Sequence, residues 1–212
     1  MEQVFVTNPK GGAGKTTIST HIAAYFANQN KNVLLVDHDA LKCSSDWHRG
    51  RPASYARLRS VTAKVDDVID FGDADWVVHD MPAAWTLENV QNILHAGDRV
   101  LIPVLSSPND IKACLRFVMN LHRSGILESG VQVGLIANRV RANTSYFKIL
   151  KEFLSRLGLP IVTTLRDTQN YVLTMDAGLT IFDLPPSRVK QDLAQWKPVI
   201  NWLRKSAPSA TP

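Results

Sequence analysis

Long apolar runs are missing from this sequence. No stretch approaches the ~18 residues that a membrane-spanning helix needs, so no membrane span is expected. Cysteine is nearly missing too: Cys43 and Cys114 are the two in 212 residues. They lie far apart, without metal-ligand spacing, which argues against disulfides and zinc and leaves two buried free thiols as the expectation. The N-terminus, MEQVFVTNPK, carries an acid where a secretory signal would carry positive charge, so the expected compartment is the cytoplasm. Acidic residues are scarce at one end. Residues 138–212 hold 11 Lys and Arg against 5 Asp and Glu, whereas residues 1–137 hold 13 against 14. The net charge of +5 therefore belongs to the C-terminal third, and it reads either as a solvated face or as a footprint for polyanions.

What is present is ordinary globular composition, with 45% apolar and 20% charged residues in a length that suits one domain. That domain is expected over 1–205, followed by a frayed Pro/Ser tail, SAPSATP, over 206–212. Short apolar runs at 3–7, 32–37, 76–80, 99–105, 131–140 and 160–165 read as strands. Between them, helices are expected at 16–30, 86–95, 109–124, 143–157 and 187–205, the first with Ile18, Ile22, Tyr25 and Phe26 on one side. Continuously apolar strands alternating with helices predict an α/β fold: a doubly wound, mostly parallel sheet with helices on both faces.

Between the first strand and the first helix stands TNPKGGAGKTT, residues 7–17. It matches the end of the phosphate-binding loop G-x-x-x-x-G-K-[ST], but Pro9 occupies the first glycine's place and a second lysine, Lys10, follows it. Gly11, Gly12 and Gly14 supply a backbone that can turn its N–H groups onto a phosphate at the positive end of the following helix, with Ala13 and Thr17 in the same cradle. Lys15 would neutralise the β- and γ-phosphates, and the Thr16 hydroxyl would ligate Mg²⁺.

The string KGGAGKTT resembles the deviant phosphate loop of the ParA/MinD superfamily of ATPases, which implies a P-loop NTPase fold, ATP and Mg²⁺. The resemblance implies that Lys10 reaches the phosphates of a partner subunit while Lys15 acts within its own, so ATP would hold a homodimer together. LLVDHDALKCSSDW resembles the family's D-x-D-P-Q segment, which implies that Asp37 helps hold Mg²⁺ and Asp39 positions the attacking water; Ala40 and Leu41 depart from the usual Pro-Gln. WVVHDMPAAW is similar to the family's second metal strand and places Asp80 beside the magnesium, with Ala83 replacing a proline. VLIPVLSSPNDIKA and LRDTQNYVLTMDAGLTIFD resemble later blocks of the small ParA proteins. Lys10, Lys15 and Asp39 are thus the candidate catalytic residues.

Other residues leave alternatives open. His38 and His79 flank the carboxylates, but alternate strand positions point away from the site. Trp47 and Trp85 read as core or as interface. Asn138 matches a position from which related ATPases touch adenine, and also suits a strand-end turn. Arg141 and Arg166 match positions through which ParA dimers contact DNA phosphates, and Lys148, Lys151, Arg188 and Lys190 extend the patch. The resemblance therefore implies a nucleoid-associated protein binding double-stranded DNA without sequence preference, with an adaptor of ParB type stimulating hydrolysis. A protein-recruiting switch without DNA contact is the alternative. A MinD-type membrane helix is not expected, because the C-terminal helix holds Pro198. The cysteines do not suit the electron-transfer or metal-carrier relatives.

Overall fold

Alternation along the strands explains how one sheet buries both of its faces. In β1 (Glu2–Val6), Val4 and Val6 point into one core and Phe5 into the other. The same division recurs in β5 (Arg99–Val104), where Leu101 joins the first core and Val100, Ile102 and Val104 the second. The computed structural model describes residues 1–83, 93–141 and 145–205, apart from the side chains of 146 and 147. Trp85, most of the helix expected at 86–95 and the tail at 206–212 lie outside the described residues.

The remaining strands are β2 (Val33–Asp37), β3 (Arg59–Thr62), β4 (Trp76–Asp80), β6 (Gln132–Val140) and β7 (Ile161–Arg166). They form a seven-stranded sheet in the order β3-β2-β4-β1-β5-β6-β7, with every described pairing parallel. Helices α1 (Lys15–Ala27) and α6 (Pro186–Arg204) cover one face. Helices α3 (Pro108–Arg123) and α4 (Ser145–Ser155) cover the other. Two further helices were not legible in the sequence: α2 (Cys43–Gly50) and α5 (Gln169–Asp176). Edge strand β3 was also missed, because its four residues are only half buried and carry no apolar run. The expected doubly wound α/β fold is present, and its sheet is parallel throughout.

Pro198 lies inside α6 without ending it, and the helix buries Trp196, Val199, Ile200 and Leu203 against the sheet. Among the described residues no helix is long and apolar enough to cross a membrane. Cys114 is buried as expected, whereas Cys43 is exposed, because it opens the mostly polar α2 rather than a core strand.

His21 locks the phosphate-loop helix to the C-terminal half. Its ring is fully buried and stacks on Trp196 with centroids 5.3 Å apart. Nδ1 donates to the Thr17 carbonyl at 2.7 Å and Nε2 accepts the Ile181 N–H at 3.2 Å, a pairing that one neutral tautomer satisfies. Burial, only partly opposed by the Thr17 carbonyl, pushes its pKa from 6.5 down to about 4. An unfolded chain therefore binds a proton that the folded chain does not, and stability present above pH 6.5 is lost as pH falls towards 4. The shift corresponds to ~3 kcal/mol. His21→Gln is expected to be less stable at pH 7 but to show a flatter stability profile between pH 6.5 and 4 in urea unfolding. An unchanged slope would assign the acid sensitivity elsewhere.

Candidate nucleotide site

The loop between β1 and α1 is shaped by two left-handed glycines, Gly12 at φ 78° and Gly14 at φ 95°. A Cβ at Gly11 or Gly12 would meet open space, whereas one at Gly14 would lie 2.2 Å from Asn138 Nδ2. Asn138, at the end of β6, donates this amide to the Ala13 carbonyl at 2.8 Å and braces the loop from behind. From the other side, Asn8 donates to the Pro103 carbonyl at 2.5 Å and accepts the Lys10 N–H at 2.7 Å. Helix α1 then starts with no capping side chain and no acid in its first turn. Its N-terminal amides are left for an anion.

The two lysines of the loop occupy different environments. Lys15 is buried, with Nζ 3.4 Å from the Lys10 carbonyl; burial lowers its pKa, while Asp80 and Asp39 pull the other way. Lys10 extends outward, its side chain 40% exposed, and its Nζ meets Asp110 Oδ2 at 3.3 Å. Asp110 is itself held by Ser107, the N-cap of α3.

The register of β2 and β4 sets Asp37 opposite Asp80, both buried. Asp80 accepts from Thr16 Oγ1 at 2.8 Å and Ser19 Oγ at 3.1 Å, yet burial, with neighbouring Asp37, raises its pKa to about 6. Asp37 accepts the N–H groups of Asp39 at 3.1 Å and Ser45 at 2.8 Å. The hydroxyl of Ser44 is fully buried beside Asp80. Two adjacent buried carboxylates, a threonine hydroxyl and a serine hydroxyl form an all-oxygen donor set that suits a hard cation such as Mg²⁺. The described residues hold no cluster of three or more His, Cys, Asp or Glu side chains for a metal. Phosphate oxygens and water would complete the shell, as is usual for Mg²⁺.

Gly11, Gly12, Gly14, Lys15 and Thr16 line one end of a cavity of about 730 Å³, within the range of small-molecule sites, and Thr16 links that end to the buried Asp80. Asp39 and Leu41 border the same end, and Asp39 Oδ1 accepts the Leu41 N–H at 3.0 Å. The other end is walled by α5, where Tyr171, Val172 and Met175 offer apolar surface beside Thr168 and Gln169, and Asn138 and Arg139 also line the cavity. The glycine end presents N–H groups to an anion and the α5 end presents apolar surface. The cavity opens at the C-terminal ends of the strands, where chain order reverses about β1.

A family model described as the CobQ/CobB/MinD/ParA nucleotide binding domain matches residues 4–181. The chain belongs to the ParA/MinD family. Members of this family are P-loop ATPases. The chain is 29% identical over 188 residues to maintenance of carboxysome distribution protein A of Halothiobacillus neapolitanus, covering 84% of this chain and 86% of that one. It is 29% identical over 182 residues to the sporulation initiation inhibitor protein Soj of Bacillus subtilis, covering 81% and 67%. A plasmid partition protein from Borrelia burgdorferi B31, solved bound to AMPPNP, shares the fold with a TM-score of 0.71 at 16% identity, over 95% of this chain and 99% of that one.

The other residues singled out in this ParA/MinD chain are scattered. His38 and His79 point away from the cavity and meet each other at 2.9 Å. Trp47 is core, donating Nε1–H to the Leu179 carbonyl at 3.0 Å. Lys148 and Lys151 on α4, and Arg188 and Lys190 on α6, are exposed on helices that flank β7 from its two faces. Arg141 pairs with Asp167 at 3.0 Å. Arg166 is held by both oxygens of the buried Asp192, at 2.6 and 3.0 Å, so its guanidinium is part of an internal clamp. Sequence reading missed Asp110, Ser44 and the α5 wall. The α5 segment was recognisable only as a family block, since its contact with the cavity depends on β7 pairing beside β6.

Gly14→Ala tests the loop geometry. The added methyl meets the Asn138 amide at a φ that L residues rarely adopt, so at least tenfold weaker nucleotide binding, about 1.4 kcal/mol, is expected in equilibrium titration of a folded variant. Wild-type affinity would show that the loop rearranges freely.

Proposed function

We propose that this chain is a Mg²⁺-dependent ParA-type ATPase whose ATP-bound form is a homodimer that binds DNA without sequence preference. In this reading it positions a cargo, plasmid DNA or a large protein assembly, while an adaptor of ParB type stimulates turnover. The observation that carries it is the unequal placement of the two lysines: Lys15 is buried in the cradle, and Lys10 is extended at its exposed rim. The relatives, which include carboxysome-distribution and plasmid-partition proteins, support positioning as the task and a cytoplasmic, nucleoid-associated setting.

The chemistry assigned to each residue follows from its place. The amides of residues 11–17 receive the phosphates and Lys15 neutralises their inner oxygens. Thr16, Asp37 and Asp80 would hold Mg²⁺, which when bound offsets the β- and γ-phosphate charge. Asp39, at the open end of the turn, orients the attacking water. Lys10, released from Asp110, reaches the partner's phosphates, so the charge stabilisation needed for hydrolysis is complete only in the dimer. Asn138 and the α5 wall take the base.

Lys15→Ala is expected to abolish ATP binding in titration with labelled nucleotide; unchanged affinity would remove the phosphate-site assignment. Lys10→Ala should keep the nucleotide but remain monomeric by light scattering, and normal ATP-dependent dimerisation would remove its role across the interface. Asp39→Ala should bind ATP and dimerise yet release phosphate far more slowly. Phosphate release at the wild-type rate would assign the water to another group.

The clamp of Arg166 on the buried Asp192 favours the second reading, a protein-recruiting switch without DNA. It also makes Arg166→Glu a poor probe, since a new carboxylate would face the buried Asp192. Lys148→Glu with Lys151→Glu is the cleaner variant. On the leading reading, DNA retention on filters appears with ATP, fades with ADP and weakens with salt by a log-log slope of roughly −0.9 per phosphate neutralised. The double variant should lose DNA while still dimerising. A wild-type ATP dimer with no DNA affinity at low salt would favour the protein-only switch.

A further inference from the structure

Helix α2 carries none of the candidate catalytic residues, yet its first turn holds one of the metal-side carboxylates. The Ser45 N–H donates to Asp37 Oδ2 at 2.8 Å. Between them, residues 38–42 form an open turn with Lys42 in the left-handed region, φ 54°, and Leu41 76% exposed. Beyond the buried His38, whose N–H donates to the Asp80 carbonyl at 3.0 Å, little packs on this turn, so the geometry of its exposed part depends on where α2 is fixed.

The far end of α2 is fixed firmly. Arg51, its C-cap, makes a two-pronged ion pair with Asp183, both bonds 2.9 Å, with side chains only 4% and 0% exposed. Arg51 also donates to the Ala56 carbonyl at 3.0 Å and the Gly178 carbonyl at 3.3 Å, and packs over the Trp47 and Tyr55 rings. The remaining capacity of Asp183 is filled by Asn28 at 3.1 Å and by the N–H and hydroxyl of Thr180 at 2.8 Å each. Gly178, at φ 67°, approaches so closely that a Cβ there would lie 2.4 Å from the Gly50 backbone. Trp47 adds its bond to the Leu179 carbonyl.

We propose that Arg51 and Asp183 are positioning residues for the metal site: acting through α2 as a rigid arm, they set the place of Asp37 and of the turn that carries Asp39. This rests on the nucleotide-site reading above. Helix α2 is about 12 Å long, and its hydrogen-bonded backbone transmits a shift at Gly50 to the Ser45 amide with little loss. Misplacement of the order of 1 Å at a reacting site costs up to about a hundredfold. A lysine at position 51 keeps the charge but not the two parallel bonds, so it is not expected to replace the arginine.

The test uses the full chain, with AMPPNP affinity measured in EDTA and Mn²⁺ affinity measured by paramagnetic resonance on the AMPPNP complex. Two variants disturb the anchor differently. Arg51→Gln with Asp183→Asn removes the ion pair without leaving a lone buried charge, and Gly178→Ala keeps the pair but pushes α2 away. Both are expected to bind AMPPNP in EDTA within a small factor of wild type and Mn²⁺ about tenfold more weakly. Leu121→Ala, in the core on the opposite face of the sheet, serves as the control that lowers Tm without weakening Mn²⁺. Mn²⁺ affinity unchanged in both anchor variants, or falling in Leu121→Ala as well, would overturn the proposal. A wild-type chain that fails to bind AMPPNP would instead defeat the nucleotide reading, and this proposal with it.

Discussion

The in-register pairing of β2 with β4 sets the central constraint, because it places Asp37 and Asp80 side by side and out of water. Two neighbouring buried carboxylates are costly unless donors or cations converge on them. Much of the surrounding structure can be understood as that convergence. Thr16 and Ser19 donate from α1, the Ser45 amide from α2 and the Asp39 amide from the turn between, while Lys15 adds a buried positive charge. The raised pKa of Asp80 marks the charge that these donors leave uncompensated. A divalent cation with phosphate oxygens suits the remainder.

The phosphate loop meets the same site from above. Asn138 and Asn8 hold the backbone around its glycines from either side. Within that frame one short segment delivers two lysines to different places, one inward and desolvated, the other outward against Asp110. The outward one meets the buried Asp110 from an exposed rim, which is where a group must stand if it is to be exchanged when a second subunit arrives.

The basic C-terminal third illustrates how pairing changes the meaning of a charge count. Asp192 and Asp167 take up two of its arginines. Positive charge facing water lies on α4 and α6, either side of the β7 edge, and also at the strand ends, at Arg139 and Arg141.

The phosphate loop, the apolar strands and the long helices α3, α4 and α6 were legible in the amino-acid order, because each is encoded by local pattern: glycine and lysine spacing, or apolar periodicity. Asp37, Asp39 and Asp80 were legible through the resemblance that those patterns opened. Other features were not. Strand β3 and helix α2 are short and largely polar, and α2 buries only Ser44 and Trp47. Arg51 and Asp183 stand 132 positions apart, and Asn138 stands 125 from the carbonyl it braces. Whether such groups meet is decided by strand order and by the packing of helices on the sheet. The sequence by itself thus determined that a loop of phosphate-binding pattern would stand at the end of β1. Only the tertiary structure decided which distant side chains would hold that site in shape, since desolvated ion pairs and close backbone contacts exist only after distant segments have packed.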